Sequence, residues 1–185
     1  MNNTPRTHSE GRRLIAKILE PTFRVSALTA ANTPSSFEPG ASWEKAVFSW
    51  TSPDPHDERA IVVYIGPVGD GAKQAADIRE MISTETMPGD EAAEIQTPEE
   101  GEYVFALGYL GRLTAIADRC QVDVYPSPNT QLTTLAGPAL QIARTLGCSP
   151  LVDDRQPSKP GSSPNRGAWT TADGHTYDPR TPPAP

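Results

Sequence analysis

Two cysteines at the ends of one stretch are the residues whose types and spacing point most directly to chemistry. Cys120 and Cys148 lie in RCQVDVYPSPNTQLTTLAGPALQIARTLGC, which runs from 119 to 148. The pattern predicts a strand, a turn and a returning helix of similar length, at about 3.3 and about 1.5 Å per residue. We therefore expect Cys148 to lie beside Cys120. A disulfide and two free thiols both stay open, because bonding requires Cα atoms within about 7 Å and converging side chains.

The segment GPVGDGAKQ is a second candidate, since a glycine-rich loop between a strand and a helix can bind phosphate. A Walker-type loop places lysine directly after the second glycine and a hydroxyl residue after that lysine. Here Ala72 precedes Lys73, and Gln74 occupies the hydroxyl position. Asp70 adds a negative charge where an anion would bind. We interpret the segment as a plain turn in which Asp70 caps the next helix.

The other polar residues form no catalytic or metal-binding pattern in the sequence. Ser42 and Lys45 match the S-x-x-K pair of penicillin-recognising enzymes, but neither S-D-N nor K-T-G accompanies them. The histidines lie in expected loops or tails without metal-ligand spacing. They are His8, His56 and His175. A cysteine and a histidine brought together in space stay open as a nucleophilic pair. We predict no catalytic residue, no metal site and no cofactor.

Residues 153–185 form a proline-rich tail with almost no aliphatic side chains. Such a segment has too little apolar surface to offset the entropy of ordering it alone. We therefore expect it to be extended or disordered unless a partner holds it. Trp169 and Tyr177 are its large aromatic residues, and isolated aromatics in such segments are common docking anchors. We predict that they pack on the domain or on a protein partner.

The acidic charge of the chain is concentrated in one segment. The formal net charge is -7, and residues 85–102 contain seven Asp or Glu and no Lys or Arg. We interpret residues 84–102 as a solvated acidic linker, because the spacing is not that of an EF-hand. An overall acidic chain repels phosphate backbones, which argues against nucleic acid as a partner. No apolar run approaches the roughly 20 residues of a membrane helix, and no signal-peptide pattern is present.

The hydrophobic periodicity predicts a single α+β domain over residues 9–152, preceded by an N-terminal arm at 1–8. The expected order is α-β-β-α-β-β-β-α, with a mainly antiparallel sheet of about five strands. We expect the helices to pack on one face of this sheet and the other face to lie in water. The helices are expected at 9–20, where Pro21 ends the first, at 72–83 and within 131–146. The strands are expected at 43–51, 60–65, 103–107, 112–117 and 120–125.

The closing part of this domain carries a family resemblance. The stretch GEYVFALGYLGRLTAIADRCQVDVYPS...LAGPALQIARTLGC, within 101–148, resembles the strand, strand, strand, helix close of small cell-envelope lipoprotein domains from high-GC bacteria. The chain shows neither the lipobox nor the signal segment of those proteins. The resemblance implies a non-enzymatic binding or sensing module outside the membrane.

The sequence therefore favours a non-enzymatic binding or interaction module. The alternative is a structural or assembly protein, for instance a virion component whose arms contact neighbouring subunits. An enzyme of unidentified class is the third reading. The expected location is the cytoplasm or a virion, whereas a Cys120–Cys148 disulfide would indicate an oxidising, extracytoplasmic compartment.

Overall fold

The computed structural model describes residues 6–31 and 46–147, together with the strand pairs 169–170 and 176–177. Its described part is an α+β structure built on an antiparallel sheet, as the sequence predicts. Four residues named in the sequence analysis lie outside the described ranges: Ser42, Lys45, Cys148 and His175.

Three α-helices and nine strands follow one another along the described residues. The helices are α1 His8–Phe23, α2 Gly71–Glu85 and α3 Ala136–Leu146. The first strands are β1 Thr29–Ala31, β2 Ala46–Thr51, β3 Ala60–Pro67 and β4 Ala92–Ile95. The next are β5 Tyr103–Leu107, β6 Arg112–Ala117 and β7 Cys120–Pro126. A separate compact unit, Asp153–Pro185, contains β8 Trp169–Thr170 and β9 Thr176–Tyr177.

Seven strands form one sheet in the order β1-β2-β3-β7-β6-β5-β4, and every neighbouring pair is antiparallel. The expected meander of β5, β6 and β7 is confirmed. Its last turn consists of Asp118 and Arg119, whose φ angles of 49° and 63° are those of a two-residue hairpin turn. The apolar strand β3 lies inside the sheet between β2 and β7, as its continuous hydrophobic run indicates.

The larger core lies where α1 and α3 pack on one face of the sheet. Ile15 and Leu19 of α1 and Ile142 of α3 are fully buried in it. The strands contribute alternating residues such as Phe48 and Val63, both fully buried. This face holds most of the apolar surface that stabilises the domain.

The opposite face carries a second, smaller core, so the expectation of helices on one face only is wrong. Ala75 and Ile78 of α2 pack there against Phe105, Leu107 and Ile116. Phe105 directly follows Val104, which belongs to the first core, and successive strand residues point to opposite faces. Two consecutive apolar residues in β5 therefore require a layer of helix on each side.

The sheet also has more strands than expected. β1 and β4 are short, and β4 lies inside the segment interpreted as an acidic linker. Alanine and glutamate have low strand propensity, but pairing with β5 gives β4 its backbone hydrogen bonds. The tertiary context thus overrides a local composition that favours a loop.

Helix α1 is longer than expected at both ends. Its N-cap is Thr7, which forms a reciprocal capping box with Glu10 through bonds of 3.2 and 2.8 Å. Pro21 lies inside the last turn and does not end the helix. Because proline has no N–H, the carbonyl of Lys17 receives no helical hydrogen bond from residue 21. Lys17 is exposed, so water can reach this carbonyl instead.

Helix α3 starts afresh after a 3₁₀ turn at Leu132–Leu135. Pro138 is its third residue, where the missing N–H would have no partner inside the helix. Gly147 ends the helix with a φ of 54°, as expected for a C-terminal glycine.

Candidate functional site

A concave acidic surface lies at one edge of the sheet, on the hairpin of β4 and β5. We call residues 92–107 the acidic hairpin and its connecting loop residues 96–102. An open depression of about 590 Å³, which we call the cavity, lies on this hairpin. The cavity is lined by Glu94, Ile95, Gln96, Thr97, Glu99, Glu100, Gly101, Glu102 and Tyr103. Carboxylates therefore supply most of the charge around this opening.

The loop of the acidic hairpin is held by its own hydrogen bonds. The Thr97 hydroxyl donates to the Glu102 carbonyl at 2.8 Å and lies 3.3 Å from the Glu99 carbonyl. Gly101 turns the chain with a φ of 84°, a conformation that glycine adopts without strain. These contacts fix the backbone around the cavity.

Arg79 of α2 binds the hairpin at strand β4. Its Nε and Nη2 atoms bind the two oxygens of Glu94 at 2.7 and 2.6 Å. The guanidinium also lies 5.6 Å from the Tyr103 ring centre and 5.9 Å from that of Phe105. The bidentate bond lowers the pKa of Glu94 and raises the pKa of Arg79.

Arg144 of α3 binds the hairpin at its connecting loop, through Glu102. Its Nε atom donates to Glu102 at 2.6 Å, and its Nη2 atom binds the second oxygen. Glu102 keeps only 9% of its side chain exposed, whereas Glu99, 3.9 Å from Arg144, keeps 66%. Hydrogen bonding to Glu102 raises the pKa of Arg144. Glu102 is thus a buried anchor, and Glu99 lies on the rim.

The cavity keeps a net negative charge after these pairs are counted. Four glutamates line it, and the two arginines balance two of them. Glu99 and Glu100 are exposed on the loop. The geometry can therefore bind a cationic group, while its rim is open to solvent.

A polar cluster lies on the α2 face of the sheet, where the sequence predicts exposure. Asp123 is 5% exposed and Gln121 is 8% exposed, so the expectation that this face lies in water is wrong here. Asp123 accepts a 2.7 Å bond from the Thr114 hydroxyl and bonds of 3.1 Å from the Gln121 amide to both oxygens. Neutral donors engage this carboxylate, which suits a structural role inside the sheet.

Other polar groups flank this cluster. Tyr64 and Tyr125 meet edge to face at a ring-centre distance of 5.5 Å. Arg112 lies 3.4 Å from the Tyr125 hydroxyl through Nη1, while its Nε atom is buried without a hydrogen-bond partner, as is Tyr109 Oη. An incoming ligand therefore cannot reach Arg112 Nε or Tyr109 Oη in this conformation.

The N-terminus of α1 docks through aromatic contacts. His8 stacks on Phe48 at a ring-centre distance of 4.3 Å. Arg12 lies 5.8 Å from the Phe48 ring centre and 5.6 Å from that of Trp50, and burial lowers its pKa. Trp50 is a core residue with 4% of its surface exposed. These contacts attach α1 to β2.

The described residues that the sequence analysis singled out do not come together in one site. Cys120 is fully buried at the start of β7, while its expected partner Cys148 lies outside the described residues. The pairing of these two cysteines stays a prediction. Trp169 and Tyr177 are register partners in the β8-β9 hairpin. Their contact with the domain or with a partner is likewise still a prediction.

The glycine-rich turn before α2 behaves as a capped helix start. Asp70 accepts a 3.2 Å bond from the Lys73 backbone and is the N-cap, as predicted. His56 lies in the exposed turn between β2 and β3, where its backbone donates to Asp54 at 2.9 Å. Within the residues that the structure describes, no three His, Cys, Asp or Glu side chains converge as a metal site would require.

Arg79 and Arg144 are the site residues that sequence reasoning misses. Each is an ordinary exposed arginine on a helix, and each pairs with a glutamate distant along the chain. The concentration of acids in residues 85–102 is the available signal for the hairpin. That signal shows the charge but not the ion pairs.

No helix in the described ranges combines the length and the apolar character needed to cross a membrane. A family model described as "Domain of unknown function (DUF7956)" matches residues 7–160. Neither the comparison with curated proteins nor the comparison with solved structures gave a match.

Proposed function

We propose that this chain, which belongs to the DUF7956 family of domains of unknown function, is a non-enzymatic binding module for a protein partner. The observation that carries the proposal is the acidic cavity, in which two of the four glutamates are held by arginines from two different helices. A surface held in this way loses little conformational entropy when a partner binds.

The charges favour a partner with basic side chains. Glu99 and Glu100 are exposed, and they keep the cavity negative because Arg79 and Arg144 neutralise only Glu94 and Glu102. Rim charges of this kind act mainly on the rate of association and on specificity. The binding should therefore weaken as the salt concentration rises.

A peptide library displayed on phage tests this proposal. The native protein should enrich peptides rich in lysine and arginine. The double variant Glu99→Gln/Glu100→Gln should bind the enriched peptides about five- to thirtyfold more weakly, because each rim charge contributes on the order of 0.5–1 kcal/mol. The matched control is Glu58→Gln/Asp77→Asn, which removes two exposed carboxylates that do not line the cavity.

Two outcomes would contradict the proposal. One is the absence of any enriched peptide. The other is an equal loss of affinity in both double variants, since this would reflect total charge rather than the acidic hairpin.

A second candidate is a structural or assembly protein. The C-terminal unit, in which Trp169 is directly opposite Tyr177 in a two-stranded hairpin, favours this reading. Aromatic pairs on a short hairpin suit docking onto a neighbouring subunit. Native mass spectrometry of the full chain and of Trp169→Ala/Tyr177→Ala tests it: the native chain should form oligomers that the variant loses, and a monomer in both would contradict it.

A further inference from the structure

The outer edge of β4 is a sheet edge with open backbone groups. In the part of the chain that the structure describes, β4 ends the seven-stranded sheet and pairs with β5 alone. Ala93 and Glu94 in the middle of the strand are exposed. An exposed strand edge presents unpaired N–H and C=O groups to which another strand can be added.

A second copy of this chain does not suit the edge. Pairing two antiparallel β4 strands about Glu94 would bring this carboxylate of one copy close to the same carboxylate of the other. Like charges on paired strands are destabilising. Charge complementarity instead favours an extended segment that carries lysine or arginine.

The cavity lies directly beside this edge. Glu94 and Ile95 belong both to β4 and to the cavity wall, and Glu100 lies on the loop that lines it. In strand addition the main chain contributes affinity, and pockets for alternate side chains contribute specificity. An added basic strand would place a side chain toward this acidic opening.

We propose that the β4 edge accepts an extended, basic segment of a protein partner by β-strand addition, with the acidic cavity receiving one of its cationic side chains. This inference rests on the proposed function and adds the binding mode. It requires backbone hydrogen bonds between the segment and β4, because charge attraction alone would leave the strand edge unpaired.

The test uses a hexapeptide of alternating lysine and valine and two copies of it that are N-methylated at alternate peptide bonds. A strand in a ladder directs every other N–H toward its neighbour. One methylated peptide should therefore lose affinity by about tenfold or more, while the other binds within about threefold of the parent. The parent peptide should also slow amide hydrogen exchange in residues 92–95 of the native full chain.

Two results would overturn the binding mode. One is equal binding of both methylated peptides; the other is unchanged exchange in β4 at saturating peptide. If the peptide still binds more weakly to Glu99→Gln/Glu100→Gln, strand addition is wrong while the proposed function stands. If it binds equally to that variant and to the matched control, both proposals fail. Dimerisation of the chain without peptide, with slowed exchange in β4, would also overturn the assignment by placing a second copy at this edge.

Discussion

Arg144 and Glu102 are 42 residues apart in the sequence and form a bidentate ion pair between α3 and the acidic hairpin. The Glu102 side chain is nearly buried, while the guanidinium remains partly exposed. This pair joins a helix of the larger core to the loop that encloses the cavity. It therefore couples the geometry of the candidate binding surface to the stability of the domain.

Replacing Arg144 should loosen the hairpin. We expect Arg144→Gln to lower the free energy of unfolding by about 1–2 kcal/mol, because Glu102 would lose its charged donor in a mostly buried position. Amide exchange in residues 96–102 should become faster than in the native chain. Arg13→Gln, at an exposed position of α1, is the matched control and should leave both measurements near their native values.

The ion pair of Glu94 with Arg79 predicts a pH dependence of stability. The pKa of Glu94 is lowered in the folded state, so its contribution is present above the unfolded pKa of about 4.3 and is lost as the pH falls through the folded pKa. The native chain should be more stable than Glu94→Gln at pH 7, by less than about 1 kcal/mol because the pair is partly exposed.

Denaturant titrations across the acidic range measure this difference. The advantage of the native chain over Glu94→Gln should shrink as the pH is lowered from 5 toward 2. Glu58→Gln, at an exposed position away from the hairpin, should show a smaller change with pH. An advantage that grows as the pH falls would contradict the ion-pair assignment.

The buried carboxylate of Asp123 makes Thr114 important for stability. Thr114→Val keeps the shape of the side chain but removes the donor of the 2.7 Å bond. We expect a loss of about 1–3 kcal/mol, measured by chemical denaturation, because Asp123 would be left with fewer donors. Thr133→Val, at an exposed position, should change stability by less than about 0.5 kcal/mol.

The smaller core should depend on Phe105. This side chain is fully buried between α2 and the sheet, and its ring lies beside Arg79. Phe105→Ala should cost about 3–5 kcal/mol of unfolding free energy through lost burial and a cavity. Exchange of the α2 amides should accelerate more than exchange in α3, which packs on the other face; equal acceleration would argue against two separate cores.

The two cysteines predict a difference between oxidised and reduced protein. If Cys120 and Cys148 are bonded, the unreduced chain should be lighter by two hydrogen atoms, and reduction should lower stability by about 3 kcal/mol for a loop of about 28 residues. Denaturing mass spectrometry with and without reductant measures the first effect. Identical masses would contradict the bond, and Cys120→Ala should be insensitive to reductant.

Local sequence rules predict much of the secondary structure. The cap at Asp70, the turn at Asp118 and Arg119, and the end of α3 at Gly147 each depend on residues a few positions apart. The same rules fail at Pro21, where the exposed position of Lys17 lets water replace the lost helical hydrogen bond, and at β4, where β5 supplies hydrogen bonds that no local window contains.

The sequence by itself determined the class of fold, the meander of β5 to β7 and the concentration of acidic charge in one segment. Only the tertiary structure decided that this segment forms an edge strand and a cavity, and that Arg79 and Arg144 hold its glutamates. The physical reason is range. Periodicity and capping act over one or two turns of chain, whereas the partner of a charged side chain depends on strand order and helix placement, which are set by the packing of the whole domain.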